Sequence, residues 1–247
     1  MLLEICVDDA AGLAAAIAGG ADRIELCSAL ELGGLTPTPG LMALAARAPI
    51  PVRAMVRPRP GDFVFAKGDI EAMLGDIAAI RAAGLSGVVL GASLPDGRLD
   101  TATLRVLVAA AEGMATTLHR AVDLVPDMAE AVEQAVALGF DTILTSGGAS
   151  NVIAGMESIA LAHRVAKGRL TIMAGTGVND VTALQLLARV PLPALHGSCS
   201  VMAPAASGPA ARLGFDSPNR KATSSEKVSA LKSAMTTWSP GQLSAPL

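Results

Sequence analysis

Three stretches of this chain repeat one design: an alanine-rich amphipathic run, a glycine turn, and a short run of β-branched residues. They read AGGADRIELC ending at Cys27, AAGLSGVVLGA ending at Ala92, and ALGFDTILTSG ending at Gly147. Glycine suits the left-handed cap that ends a helix, while Val, Ile and Thr suit a buried strand, so each copy predicts helix, tight turn, strand. Helices alternating with strands imply a parallel sheet. Eight strand-like runs can be counted, at residues 2–7, 23–27, 52–57, 87–91, 115–120, 142–146, 170–174 and 194–198. The length of 247 residues lies near the ~250 of a (β/α)8 barrel, and no GxGxxG follows the first run. A closed α/β TIM barrel in a single domain is therefore expected over an open doubly wound sheet.

Residues 1–238 are expected to form the barrel, and 239–247, SPGQLSAPL, a disordered tail with little to bury. Residues 200–222 are rich in Pro, Ala, Ser and Gly without periodicity and are read as a long eighth loop near the mouth. The last helix is expected to begin at Thr223, whose spacing to Glu226 matches a capping box, with Val228, Leu231 and Met235 on one face.

Charge narrows the function classes. The net charge of −3 is spread without a basic stripe, which argues against nucleic acid and anionic membrane as partners. The uncharged run 190–211 contains four prolines and cannot cross a bilayer as a helix. The N-terminus has no basic segment and soon carries Asp8 and Asp9, so a cytoplasmic location is expected. Cys6, Cys27 and Cys199 lie far apart without CxxC spacing, which predicts free thiols and no structural zinc site.

Side chains alternate along a strand, and in a barrel one set meets the helices while the other enters the interior. Taking Ile24 and Leu26 as outward leaves Glu25 and Cys27 inward. The same rule sends Leu3, Ile5 and Val7 outward and Glu4 and Cys6 inward, points Arg53, Met55 and Arg57 in, pairs Thr117 with His119, and turns His196 and Ser198 inward. Cys199 then has outward parity. Charged groups are almost never buried unpaired, so these residues must form an interior network. A structural ion cluster is the plain reading of it. Position adds a second, because Cys27, Arg57, His119 and Ser198 fall at strand C-termini, where such barrels hold their active sites.

Loops supply candidate anion donors. MAGTGVND leaves the backbone open at Gly175 and Gly177 before a helix start, and the loops after strands seven and eight are the usual phosphate site of this fold. TSGGAS adds the hydroxyl of Ser146, and RPRPGDF holds Arg57 and Arg59 on a stiff backbone suited to bidentate capture.

The motifs GADRIELC, GGLTPT, RPRPGDF, HRAVD, LTSGG, MAGTGV and LHGS, in this order over residues 1–200, resemble the CutC family. The resemblance implies a (β/α)8 barrel, a cytoplasmic homo-oligomer, and a role in copper homeostasis. It places the mouth at Glu25, Cys27, Arg57, Arg59, His119, Arg120, Asp123, Ser146 and His196. Pro60 departs from the family's RPRGGDF pattern, as does Phe65, where a tyrosine is common.

Two functions follow. Copper(I) prefers thiolate and thioether, and Cys6 and Cys27 on adjacent strands could approach one another near Met55. Alternatively, the chain is an enzyme or binder for a small anionic molecule. In that reading Arg57, Arg59, Arg120, Ser146, Gly175, Gly177, His196 and Ser198 hold the anion, His119 moves a proton, and Glu25 assists. The reaction type stays open on the residues alone.

Overall fold

The computed structural model describes every residue except 205–207, 216, 218, 219 and 239–247, so the expected tail lies outside the described residues. Eight strands alternate with helices: β1 Leu2–Val7, β2 Arg23–Leu26, β3 Val52–Met55, β4 Gly87–Leu90, β5 Ala115–Leu118, β6 Thr142–Thr145, β7 Thr171–Gly175 and β8 Ala194–Gly197. The main helices are α1 Ala10–Ala18, α2 Pro39–Ala45, α3 Lys67–Ala82, α4 Thr101–Ala110, α5 Met128–Leu138, α6 Met156–Ala166, α7 Asp180–Arg189, α8 Pro209–Arg212 and α9 Ser225–Thr237. The strands pair in parallel in sequence order, and β8 returns to β1 to close a barrel. Among the described residues, no helix is long and apolar enough to cross a membrane.

Local chemistry explains why the helices sit where they do. In α5, the Asp127 side chain accepts the N–H groups of Ala129 and Glu130, satisfying two otherwise orphaned donors. Met128, Ala131, Val132 and Ala135 then fall on one stripe, which is buried against the sheet.

Alternation sorts the strand residues as read. Leu3, Ile5, Ile24, Leu26, Val88, Leu90, Ile143, Ile172 and Leu195 join one apolar core with the helices. Inside the barrel, apolar contacts shrink to two small groups. One is Leu144, Met173 and Ala194, with Leu2 against it. The other is Cys27, Met55 and Val89. Buried polar side chains, including Glu4, Arg23, Glu25, Arg53, Thr117, Thr142 and His196, occupy the rest.

Four expectations need correction. β3 stops at Met55 and β5 at Leu118, so Arg57 and His119 sit just past their strands. His119 leaves the strand because its Nδ1 accepts the Ala121 N–H and starts a 3-10 turn over Arg120–Leu124. β8 ends at Gly197, leaving Ser198 exposed, whereas Cys199 is buried in the outer core as its parity implied. The expected long loop instead contains α8 and an antiparallel hairpin, β9 Ser200–Met202 with β10 Lys221–Thr223. Because Thr223 pairs with Ser200, the cap of α9 falls to Ser224, whose Oγ accepts the Lys227 N–H at 3.3 Å. Val228, Leu231 and Met235 are the buried face of α9, as the spacing predicted.

Candidate functional site

Strand register assembles the first part of the mouth. Across β2, β1 and β8 it aligns Arg23 with Glu4 and Glu4 with His196. One step away it aligns Cys6 with Glu25, and Glu25 with Arg53. Arg23 donates its Nε–H to Glu4 Oε2, and His196 Nδ1 lies 2.9 Å from Glu4 Oε1. The other ring nitrogen, Nε2, faces Glu25 Oε2 at 3.8 Å. Ligand atoms of Cys6, Glu25 and His196 all lie within 4.8 Å of one another. Cys27 joins them through its S–H, 3.7 Å from Glu25 Oε2. Gly34, with φ of 86°, closes over this group: a Cβ there would lie 3.1 Å from Cys27 Sγ and 3.5 Å from Met55 Cε.

Burial and charge set the protonation of this arc. Burial works to raise the Glu4 carboxyl, but the His196 hydrogen bond and the Arg23 charge overcome it and hold the group at about 2. Burial opposes a charge on His196, yet Glu25, Cys6 and Glu4 push its pKa well above the ordinary value. Burial lifts the carboxyl of Glu25 above its usual range. The Cys27 thiol is raised well above normal by burial and then by Glu25 and Cys6. A buried imidazole whose Nδ1 is held by a carboxylate, with Nε2 facing Glu25 and the Cys6 thiol near it, resembles the way proteins orient metal-binding histidines.

The arc from β3 to β6 is built differently, and it engages the expected anion-binding arginines internally. Arg57 gives Nη1 to the carbonyls of Leu32 and Gly34 at 2.9 and 3.1 Å, and Nη2 to that of Gly61 at 2.7 Å. Its fork therefore ties the β2 and β3 loops together. Arg59 pairs with Asp62 and Asp69, both at 3.0 Å. Arg120 binds Asp123 at 2.8 Å and Ser146 Oγ at 3.0 Å. Asp123 in turn accepts from the Ser146 and Gly148 N–H groups, which fixes the β6 loop. Arg53 donates Nη1 to the hydroxyls of Thr117 and Thr142.

His119 is neutral: burial first, then the Arg57 charge, lowers its pKa to about 3. With Nδ1 accepting from Ala121, its proton sits on Nε2, and that atom has no partner. Among the described residues the buried side-chain polar atoms without a hydrogen bond are Glu25 Oε1, Arg57 Nε, Ser93 Oγ and His119 Nε2. They fall in or just past β2, β3, β4 and β5, four consecutive strands at one rim. Each such group costs about 1–3 kcal/mol when left unpaired.

The glycine loop does not join them. β7 stands four places from β3 in the closed order, on the opposite wall, so Gly175 and Gly177 do not meet Arg57. Gly175 belongs to the strand, where a Cβ would come within 2.6 Å of Leu144 and 3.2 Å of His196; its bareness makes room for them. Gly177 and Ser198 line a cleft of ≈ 750 Å³ that also carries Asp180 and Glu226. Those carboxylates oppose an anion, and Lys227 Nζ already serves the Ser200 carbonyl at 3.0 Å.

Sequence reasoning missed Arg23, Phe63 and Ser93. Arg23 shares the inward parity of Glu25 and could have been found by it. Phe63 stands inside RPRPGDF, whereas nothing in the sequence marks Ser93.

The fold defines a (β/α)8 barrel with a buried polar centre. Solved barrels agree with the class: phosphoribosylanthranilate isomerase from Thermotoga maritima superposes with TM-score 0.57 at 13% identity, covering 96% of this chain and 100% of that one. The chain belongs to the CutC family, whose model matches residues 1–201. A CutC family protein of Sinorhizobium medicae is 53% identical over 235 residues, 95% of this chain and 96% of that protein. A crystal structure described as a candidate copper homeostasis protein CutC, from Streptococcus agalactiae, superposes with TM-score 0.77 at 29% identity, covering 80% of this chain and 98% of that one.

Proposed function

We propose that this chain serves copper homeostasis in the cytoplasm by holding Cu(I) at the mouth of the barrel, with Cys6 and Cys27 as the thiolate ligands. The observation that carries this reading is the convergence of Cys6, Glu25 and His196 within 4.8 Å, with Cys27 beside Glu25. Cu(I) favours thiolate over oxygen, so the two sulfurs bind, and His196 Nε2 offers a third position once it gives up the proton that its raised pKa holds there. Met55, packed against Cys27, adds a thioether at the edge. Binding displaces the thiol protons, and the site supplies compensation: Arg57 is close enough to Cys27 to interact electrostatically. The three free cysteines suit a reducing compartment. Assembly as a homo-oligomer belongs to the same reading, carried over from the family resemblance.

Anaerobic titration of Cu(I) against a competing chelator tests it with the full chain. Cys6→Ser and Cys27→Ser should each weaken binding by more than about tenfold, the least that loss of even an outer-shell partner costs. Unchanged affinity in both variants rejects the site.

A further inference from the structure

The structure holds a feature that copper binding leaves unused. On the β3 to β5 rim, Arg57 Nε, Ser93 Oγ and His119 Nε2 are buried and bond to nothing among the described residues. Two of these can only donate, and the hydroxyl can donate as readily as accept, so the trio calls for an acceptor. One aromatic ring lies against two members of the set. The Phe63 ring packs on the His119 ring with centroids 4.8 Å apart and lies 5.0 Å from the Arg57 guanidinium carbon. The carbonyl of Phe63 also accepts the Ser93 N–H at 2.8 Å. Phe63 itself is only half-buried, whereas Arg57, Ser93 and His119 are buried. An aromatic ring thus covers donors that it cannot satisfy.

We propose that this rim is a second ligand site, for a small oxyanion, in which Phe63 is a gate that swings outward to admit it. The anion's oxygens would take the Arg57 Nε–H, the His119 Nε2–H and the Ser93 hydroxyl, three donors just past three consecutive strands. The guanidinium contributes one N–H and not its fork, because Nη1 and Nη2 are committed to Leu32, Gly34 and Gly61. This selects a ligand small enough to reach a single donor beneath the loop, a short organic carboxylate or inorganic phosphate. Gating needs only rotation of one side chain, since the loop backbone is pinned by Arg59 through the Val64 carbonyl at 2.7 Å and Asp69 at 3.0 Å. No reaction is required of the site.

The test uses the full chain with acetate and inorganic phosphate as separate probes, followed by calorimetry and by the 15N signal of His119 Nε2. Acetate or phosphate should saturate and shift that signal; which of them does so identifies the source of the oxyanion. Phe63→Ala should tighten binding by about three- to tenfold, because no ring must be displaced. Ser93→Ala should weaken it by about two- to tenfold, the worth of one neutral hydrogen bond. Ser93→Ala removes a hydroxyl that bonds nothing here, so the variant should fold as wild type, which circular dichroism checks. The idea is overturned if neither probe saturates in wild type or Phe63→Ala. It is equally overturned if binding leaves the His119 signal still and is indifferent to Ser93→Ala, which is an adventitious ion only. Cu(I) affinity in Ser93→Ala should match wild type, so failure here and failure at the thiols are separable.

Discussion

The two arcs of the mouth solve the same burial problem in opposite ways. From β8 through β1 to β2, charges meet their complements: Glu4 lies between Arg23 and His196, and the thiols gather beside Glu25. From β3 to β5, Arg53 bonds two hydroxyls and Arg57 three carbonyls, and among the described residues three buried polar atoms bond to nothing. Desolvating a charge is repaid only by good geometry and matching partners. The first arc repays most of it internally, Glu25 Oε1 excepted, and leaves sulfur and imidazole available to a cation. The second leaves donors that only an incoming acceptor can repay. One barrel thus carries two electrostatic halves, and which half a residue joins follows from its strand.

If the first arc is a closed ion network, removing its centre should produce the largest effect. Glu4→Gln keeps the shape but strips the counter-charge from Arg23 and His196, and breaking a buried pair in this way costs about 3–5 kcal/mol. Urea unfolding of the variant reads this directly. A loss below about 1 kcal/mol would mean that the arc is not held by charge, and the comparison would collapse.

The second arc should show itself in acid. His119 holds a pKa of about 3 where the ordinary value is 6.5, with Arg57, Arg120 and Asp123 as the charged groups acting on it. The unfolded chain therefore takes up a proton below 6.5 that the folded chain refuses, so stability is present above that pH and falls as the pH drops toward 3. At ~1.4 kcal/mol per pH unit, acidifying from 6.5 to 5 should cost about 2 kcal/mol. His196 works weakly in the opposite direction: its raised pKa keeps it protonated in the fold, while the unfolded imidazole, with an ordinary value of 6.5, still gains the rest of its proton as the pH falls from 6.5. Glu4, held at about 2, enters only below its ordinary value of 4.5. His119→Gln should flatten the slope between pH 6.5 and 5, and an unchanged slope would place the burial of His119 in doubt.

Much of this was legible before any coordinates. Glycine turns and β-branched runs encode the eight strands, and strict alternation encodes which residues enter the barrel, so Glu4, Glu25, Cys27 and His196 could be placed by counting. Partners could not. The fate of the Arg57 fork depends on the path of Gly33 and Gly34, both with positive φ, which brings the Leu32 and Gly34 carbonyls to it. The β9–β10 hairpin stayed hidden because three-residue strands leave no periodic signal in a Pro, Ala and Ser-rich stretch. Ser93 lies beyond the end of β4, where alternation no longer assigns a direction.

The smallest effect is the sharpest test of the contrast, because it compares two hydroxyls inside one barrel. Thr117 Oγ1 accepts from Arg53 Nη1 at 2.6 Å, while Ser93 Oγ, also buried, has no partner. Thr117→Val keeps the volume and removes the acceptor, leaving that Arg53 nitrogen with Thr142 Oγ1 at 3.1 Å alone. A hydrogen bond to a charged group is worth about 1.5–3 kcal/mol, and the shared donor retains part of it, so a loss of about 1–2 kcal/mol is expected. Ser93→Ala removes a desolvated hydroxyl that gains nothing from the fold, so its stability should stay within about 0.5 kcal/mol of wild type or rise slightly. Chemical denaturation of the two variants side by side measures the difference without any ligand. If Ser93→Ala proves as costly as Thr117→Val, the Ser93 hydroxyl is satisfied in solution. The β3 to β5 rim would then lose one of its three waiting donors, and with it the reason to treat the two arcs as different.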